Sequence, residues 1–243
     1  MMKKWGLALV ALGLFFGACK NDDDVDELPI EEQNQVDDNA IVAYLQNHYF
    51  DPERGLIKEF DSEDSTDNDF PTLHSLGTKL PSGAWIIKRP GVVAEGPVAD
   101  NNTQDSILIS YEVKYFKASY QDLPENGQPY EPLNTLTTTI NGSGTAVWDP
   151  WFYYVDIEGM NLNDNINLSH FVMEGFTEGL QHFNSTGTTG SDLYNFQGAI
   201  VIPSRLAFGR DFAYAGGALN YTYRDLSMVF NFELHKVILR NQD

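Results

Sequence analysis

The chain has 243 residues, of which 42% are hydrophobic and 13% aromatic, so it can bury a core and is too apolar to be wholly disordered. Its 35 acidic residues outnumber 15 basic ones, and the net charge of -20 disfavours nucleic acid as a partner. The single cysteine excludes an intramolecular disulfide and a cysteine-rich metal centre. The histidines have no metal-ligand spacing, so neither a metal nor a cofactor is expected.

Residues 1–18 have the pattern of a signal peptide. Lys3 and Lys4 precede an apolar run of about a dozen residues, which is shorter than the roughly 20 that a spanning helix needs. The sequence Phe-Gly-Ala-Cys at 16–19 resembles a bacterial lipobox. This resemblance implies that Cys19 is lipidated, for example by palmitate, and anchors the mature chain to a membrane. A free surface thiol is the alternative.

Acidic residues are concentrated after Cys19, with 17 acidic and 3 basic residues between positions 20 and 70. Like-charge repulsion predicts that residues 19–36 form an extended acidic tether. The sequence Lys-Asn-Asp-Asp-Asp at 20–24 resembles the export tags of surface lipoproteins in gliding, type IX-secreting Gram-negative bacteria. That resemblance implies the outer membrane, on its cell-surface or periplasmic face. A solvated acidic linker is the alternative.

Residues 37–80 are predicted to form a helical extension and an acidic loop. The helix is predicted to begin near Asp38, with Asp37 or Asp38 as its cap, and to end before Pro52. Four of its apolar residues recur at helical spacing: Ile41, Tyr44, Leu45 and Tyr49. The acidic run 61–69 lacks the glycine that an EF-hand turn needs, which favours a mobile loop without a metal.

Strand patterns dominate from residue 81 to 243. Apolar runs or alternating apolar residues predict strands at 84–88, 107–115, 135–140, 199–202 and 226–234. One short helix is predicted at 174–183, where Phe176, Leu180 and Phe183 share a face. Many strands with one short helix favour an α+β domain with an antiparallel sheet.

The order of these segments resembles the FKBP-type peptidyl-prolyl isomerases. The likeness covers roughly residues 81–239. Its most specific parts are Val-Met-Glu-Gly-Phe-Thr-Glu-Gly-Leu-Gln at 172–181 and Ile-Val-Ile-Pro-Ser-Arg-Leu-Ala-Phe-Gly at 200–209. Supporting parts are Ser82-Gly83, the Ile-Ser-Tyr at 109–111 and the Phe-rich strand at 229–234. The resemblance implies an FKBP-like antiparallel sheet wrapped on a short helix.

The resemblance also implies an aromatic pocket for proline-containing segments. Phe176 matches the pocket floor, Tyr111 and Phe230 match its walls, and the backbone amide of Met173, after Val172, matches the donor to a substrate carbonyl. The segment 144–149 resembles the family's Gly-Thr-x-Phe-Asp with one extra residue, which implies that Trp148 is a wall and Asp149 a polar pocket member. Phe208 stands where the family generally has a tyrosine, so one substrate hydrogen bond is missing.

The implied function is an outer-membrane-anchored prolyl isomerase or folding helper. Two departures, the long segments 118–144 and 184–197, together with Phe208, favour an alternative, a noncatalytic FKBP-like subunit of an outer-membrane complex such as a type IX translocon. A third interpretation is carbohydrate binding by the aromatic residues at 148 and 151–154. Each aromatic residue, considered alone, also fits an ordinary core.

Overall fold

The computed structural model describes residues 27–100, 105–120, 127–140, 145–157, 166–190, 193–215 and 218–240. The predicted signal peptide, Cys19, the predicted export tag at 20–24 and the Asn-Gly pair at 141–142 lie outside the described residues. So does Gly144, the first residue of the segment matched to the pocket wall.

The described residues form three α-helices, two short 3-10 helices and eleven strands. The α-helices are α1 (Ile30–Asn47), α2 (Leu73–Leu76) and α3 (Glu174–Leu180), and the 3-10 helices span Leu168–His170 and Ser204–Leu206. The strands are β1 (His48–Phe50), β2 (Ile57–Glu59), β3 (Gly77–Lys79), β4 (Trp85–Lys88), β5 (Asp105–Lys117), β6 (Asn134–Thr138), β7 (Val147–Trp148), β8 (Gly198–Ile202), β9 (Ala213–Ala215), β10 (Ala218–Asn220) and β11 (Leu226–Leu239).

Seven of these strands form one antiparallel sheet in the order β3-β4-β8-β11-β5-β6, with β7 also paired to β5. The long strands β5 and β11 pair along almost their whole lengths, with a register shift between Leu234 and Lys236. The pairs β1-β2 and β9-β10 lie outside this sheet. The predicted α+β class with an antiparallel sheet is therefore confirmed.

The sheet buries an apolar cluster on each face. The front cluster joins the odd-numbered residues of β5 from Ile107 to Val113 to the even-numbered residues of β11 from Leu226 to Leu234 and to α3. The back cluster joins α1 to the other side of β4 and β8, through residues such as Tyr44, Ile87 and Val201. Central strands are thus buried on both faces, because α1 covers the face opposite α3.

Helix α1 begins at Ile30, so the predicted start near Asp38 is wrong, as is the extended tether over residues 30–36. Pro29, not an aspartate, occupies the cap position. Asp37 is fully buried inside the helix, where its carboxylate accepts hydrogen bonds from Gln33 and from the amide and hydroxyl of Ser204. Burial raises the pKa of Asp37 above its ordinary value. These polar contacts attach α1 to the turn after β8.

No helix in the described part of the chain combines the length and apolar character that crossing a membrane requires.

His48, at the start of β1, is expected to make stability depend on pH. It is 6% exposed and its Nδ1 lies 2.8 Å from the carbonyl oxygen of Tyr44. Burial lowers the pKa of His48 from 6.5 to about 4. As the pH falls below 6.5, the unfolded chain therefore binds a proton that the folded chain excludes until about pH 4.

Between these limits His48 is expected to remove roughly 3 kcal/mol from the free energy of unfolding. Urea unfolding across this pH range gives the free energies of unfolding of the wild type and of His48→Gln. Asp37 and the other carboxylates are present in both proteins, so their contributions cancel in the difference. The substitution His182→Gln, at an exposed histidine, is the control and should leave the slope unchanged. Equal slopes for the wild type and His48→Gln would contradict the expectation.

Candidate functional site

Three of the predicted pocket rings, those of Tyr111, Phe176 and Phe230, lie together around the ring of Phe152, which was not among the predicted pocket residues. The Phe152 ring centroid lies 5.0 Å from Tyr111, 5.0 Å from Phe176 and 5.3 Å from Phe230. Phe176 and Phe230 also contact each other, with 4.6 Å between their centroids. We call these four residues the ring cluster. Edge-to-face and tilted contacts of this kind stabilise a core beyond simple burial of area.

Helix α3 positions Phe176 because glycines let it approach the sheet closely. A Cβ atom on Gly179 would lie 2.7 Å from Ile200 of β8, and one on Gly175 would lie 2.9 Å from Ile202. Only residues without a side chain fit at these two points. The predicted helix at 174–183 is observed from Glu174 to Leu180, with Phe183 packed just beyond its end.

The ring cluster is closed in this structure. Phe152, Phe176 and Phe230 are fully buried, and Tyr111 is 6% exposed. Burial raises the pKa of Tyr111, while a hydrogen bond to Thr137 lowers it less, so the phenol is neutral at physiological pH. The cluster offers rings and no charge, as the implied chemistry requires. The structure thus shows the predicted rings as a buried cluster, and at these four residues it differs from the open pocket that the resemblance implied.

The backbone amide of Met173 is already hydrogen bonded within the chain. It donates to the carbonyl oxygen of Phe152 at 2.9 Å. Met173 is fully buried, and Val172 is 8% exposed. The amide predicted to hold a substrate carbonyl thus lies beside the ring cluster and holds a carbonyl of the chain itself.

Asp149 lies at the end of β7, where its carboxylate joins three parts of the sheet. One oxygen accepts the Ile107 amide at 2.9 Å, and the other accepts the Ser106 hydroxyl at 2.7 Å and Arg240 at 2.9 Å. Its backbone has a φ of +46°, in the left-handed region. Asp149 therefore fixes the start of the turn that carries Phe152. Its predicted contact with a substrate stays a prediction.

Trp148 and Phe208 occupy different positions. Trp148 pairs with Leu108 and is 47% exposed, and the structure does not bring it to the ring cluster. Phe208 is 4% exposed and lies parallel to the Trp151 ring, 6.4 Å away, and its centroid is also 5.8 Å from that of Tyr223. Trp151 in turn contacts Phe152 at 5.8 Å. Phe208, Trp151 and Tyr223 form what we call the rim, beside the ring cluster.

Sequence reasoning missed the central member of the site. Phe152 belongs to an aromatic run that the sequence does reveal, but nothing in that run distinguishes Phe152 from its neighbours. Tyr153 is also fully buried, and its hydroxyl donates to the Asp105 carbonyl at 3.0 Å. Burial raises the pKa of Tyr153. Only the tertiary packing selects Phe152 for the centre.

A buried polar network lies under the long segment after α3. The hydroxyl oxygen of Ser110 lies 2.9 Å from Nε2 of His235, and Nδ1 of His235 lies 3.4 Å from a carboxylate oxygen of Glu233. Glu233 accepts the Thr188 hydroxyl at 3.1 Å and the Asn195 amide at 2.7 Å. Ser110, Glu233 and His235 are at most 4% exposed. Their arrangement attaches the segment 184–197 to β11 and offers no accessible nucleophile.

The acidic run 61–69 contains one buried member. Asp67 is 3% exposed, and its carboxylate accepts the Asp61 amide at 2.8 Å, which closes the turn. Among the residues that the structure describes, no three histidine, cysteine or carboxylate side chains are placed to hold a metal ion.

No known family model matches the chain, and no curated protein matches it. Three solved structures are similar. FkpA from Escherichia coli has 18% identity and a TM-score of 0.37 over 68% of this chain and 53% of that one, so the chain spans about half of its length. A peptidyl-prolyl cis-trans isomerase from Pseudomonas syringae pv. tomato has 14% identity and a TM-score of 0.38, covering 87% and 97%. AtFKBP13 has 19% identity and a TM-score of 0.32, covering 67% and 98%.

Proposed function

We propose that the chain is an FKBP-type prolyl isomerase or folding helper that binds proline-containing segments. One observation carries the proposal: the Met173 amide lies beside three rings that the sequence predicted to share a pocket. The chain's own Phe152 places a ring among Tyr111, Phe176 and Phe230 and a carbonyl on that amide. A prolyl residue offers the same two features, an apolar ring and a nearby carbonyl.

This arrangement supports noncovalent catalysis. Rotation about a peptide bond faces a barrier of about 18 to 20 kcal/mol, because resonance stabilises the planar amide. The planar amide has more charge separation than the twisted one, so an uncharged, water-poor site of aromatic rings favours the twisted geometry. A fixed amide such as that of Met173 holds the neighbouring carbonyl while the bond turns. No titrating group takes part.

The substitution Phe176→Leu is expected to lower the isomerisation rate of a proline peptide at least tenfold, since it removes the ring that contacts both Phe152 and Phe230. A protease-coupled assay measures the rate. The matched control is Phe183→Leu, which truncates another buried phenylalanine of the front cluster, one whose ring packs on Phe232, outside the ring cluster. Circular dichroism checks that both variants fold. Equal rates in the two variants, or no turnover by the wild type at high concentration, would contradict catalysis here.

A noncatalytic binding subunit is the second candidate function. One observation favours it: Phe208 brings no hydroxyl to the rim, so a hydrogen bond that would support turnover is missing. Such a subunit would hold proline-containing or aromatic segments of an outer-membrane complex, such as translocon components, without turning their bonds. Copurification from native membranes in mild detergent tests this candidate. Recovery of the chain only as a free monomer would count against it.

We further propose that lipid on Cys19 anchors the chain to the outer membrane. The lipobox resemblance at 16–19 supports this proposal. Labelling with a palmitate analogue is expected to mark the wild type and not Cys19→Ala. Equal labelling of both proteins, or release of the wild type by a salt wash alone, would contradict the anchor.

A further inference from the structure

Phe152 fills both halves of the site. Its ring lies within 5.3 Å, centroid to centroid, of Tyr111, Phe176 and Phe230. Its carbonyl oxygen accepts the Met173 amide at 2.9 Å. A ligand that binds the rings and the Met173 amide together must therefore displace Phe152, which already contacts both.

We propose that Phe152 is an internal ligand, so that an external segment binds only when the turn Pro150–Tyr154 moves out. The proposal rests on the proposed function for the location of the site and adds the regulation of that site. The ligand class is an uncharged segment that presents an apolar ring together with the carbonyl of the same residue. An aromatic residue meets this description as well as proline does.

The turn is closed by its own backbone hydrogen bonds. The amides of Tyr153 and Tyr154 both donate to the Pro150 carbonyl, at 2.8 and 3.1 Å. Before the turn, Asp149 is held to β5 and to Arg240 independently of Phe152. Asp149 therefore provides a fixed hinge, and its backbone at a φ of +46° changes the chain direction there.

The rim gives the turn a half-buried edge. Trp151 is half-buried and lies against Phe208, and the half-buried Tyr223 also contacts Phe208. Movement of Phe152 breaks the Met173 contact, and movement of Tyr153 also breaks its bond to the Asp105 carbonyl. Since only the open fraction binds a ligand, internal occupancy lowers the apparent affinity by that fraction.

The first test uses the full wild-type chain. Hydrogen exchange by NMR is expected to show that the Met173 amide exchanges at least tenfold faster than the amides of the central part of β11. Such a difference means that the turn opens without global unfolding. Equal protection of Met173 and β11 would overturn the proposal, and this measurement needs no variant to fold.

The second test measures binding by calorimetry with two probes, N-acetyl-phenylalanine amide and a proline tetrapeptide. The substitution Phe152→Ala is expected to bind the phenylalanine amide at least tenfold more tightly than the wild type does, because it vacates the ring position. The control Phe183→Ala removes another buried ring of the front cluster that lies outside the ring cluster, and should bind as the wild type does.

The two probes separate the proposals. Binding of the phenylalanine amide by Phe152→Ala, without binding of the proline peptide, supports the internal ligand and overturns the proposed isomerase function. Equal affinity of the wild type and Phe152→Ala for both probes overturns the internal ligand and leaves the function intact. If Phe152→Ala binds neither probe, the internal ligand is overturned.

Discussion

Replacing Asp149 with alanine is expected to lower the free energy of unfolding by about 4 kcal/mol. The change removes the hydrogen bonds to the Ile107 amide and the Ser106 hydroxyl and the ion pair with Arg240. It also places alanine at a φ of +46°, which costs about 1 to 2 kcal/mol in strain. Urea unfolding monitored by circular dichroism measures the loss.

The substitution Asp149→Asn is the matched control. Asparagine tolerates the left-handed region and keeps one acceptor oxygen, which can retain the bond to the Ile107 amide, while its NH2 group replaces the oxygen that accepts from Ser106 and Arg240. A loss of about 2 kcal/mol is expected for Asn, about half the loss expected for alanine. If the alanine and asparagine substitutions lower the free energy of unfolding equally, neither the backbone strain nor the hydrogen bonds to β5 contribute as described. In that case Asp149 does not fix the turn that carries Phe152.

Glu233→Ala is expected to lower the free energy of unfolding by a similar amount, about 4 kcal/mol, because Glu233 is 4% exposed and holds several donors. Removing the carboxylate leaves the Asn195 amide and the hydroxyls of Thr186 and Thr188 without their acceptor. Hydrogen exchange is expected to rise over residues 186–190, which these bonds attach to β11. The exposed residue Glu95 provides the control, as Glu95→Ala should change neither quantity.

The same carboxylate predicts a dependence on pH. Burial alone would raise the pKa of Glu233, but the contacts with His235 and the Asn195 amide lower it below its ordinary value of 4.5. The contribution of Glu233 to stability is therefore complete above about pH 4.5, and it is lost as the pH falls through the lowered pKa. Unchanged stability of Glu233→Ala relative to the wild type at pH 7 would show that the network does not hold the segment.

The parts of the fold that follow from local patterns were predicted well. Alternating apolar residues located β5 and β11, and a short apolar run before Pro203 located β8. The α3 helix was located from residues on one face, including Phe176. Each of these elements buries a continuous apolar stripe. The spacing of its apolar residues can therefore be recognised in the sequence without knowing which element packs against it.

The start of α1 was not predictable in this way. Two of its buried positions, Gln33 and Asp37, are polar, so the apolar period is interrupted in the first two turns. Asp37 is tolerated inside because Ser204, which is distant in sequence, satisfies its carboxylate. No local pattern reveals such a partner, and the burial of both faces of the central strands was missed for the same reason.

The make-up of the candidate site was predictable in part. Tyr111, Phe176, Phe230 and Met173 were chosen from the family resemblance, and the structure places them together around Phe152. The resemblance did not identify Phe152 because its position depends on how the turn after Asp149 folds back over the sheet. Trp148 lies away from the cluster for a related reason, since its pairing with Leu108 leaves its side chain exposed.

An NMR titration of the isotopically labelled full chain with a proline peptide tests most directly whether the ring cluster is a ligand site. We expect the Met173 amide to shift and intermolecular NOEs to connect the proline ring protons to the rings of Phe176 and Phe230. The Phe152 ring should lose its NOEs to Tyr111 as the peptide is added. NOEs from the proline ring only to residues outside the ring cluster and the rim, with Phe152 still in place, would contradict the account.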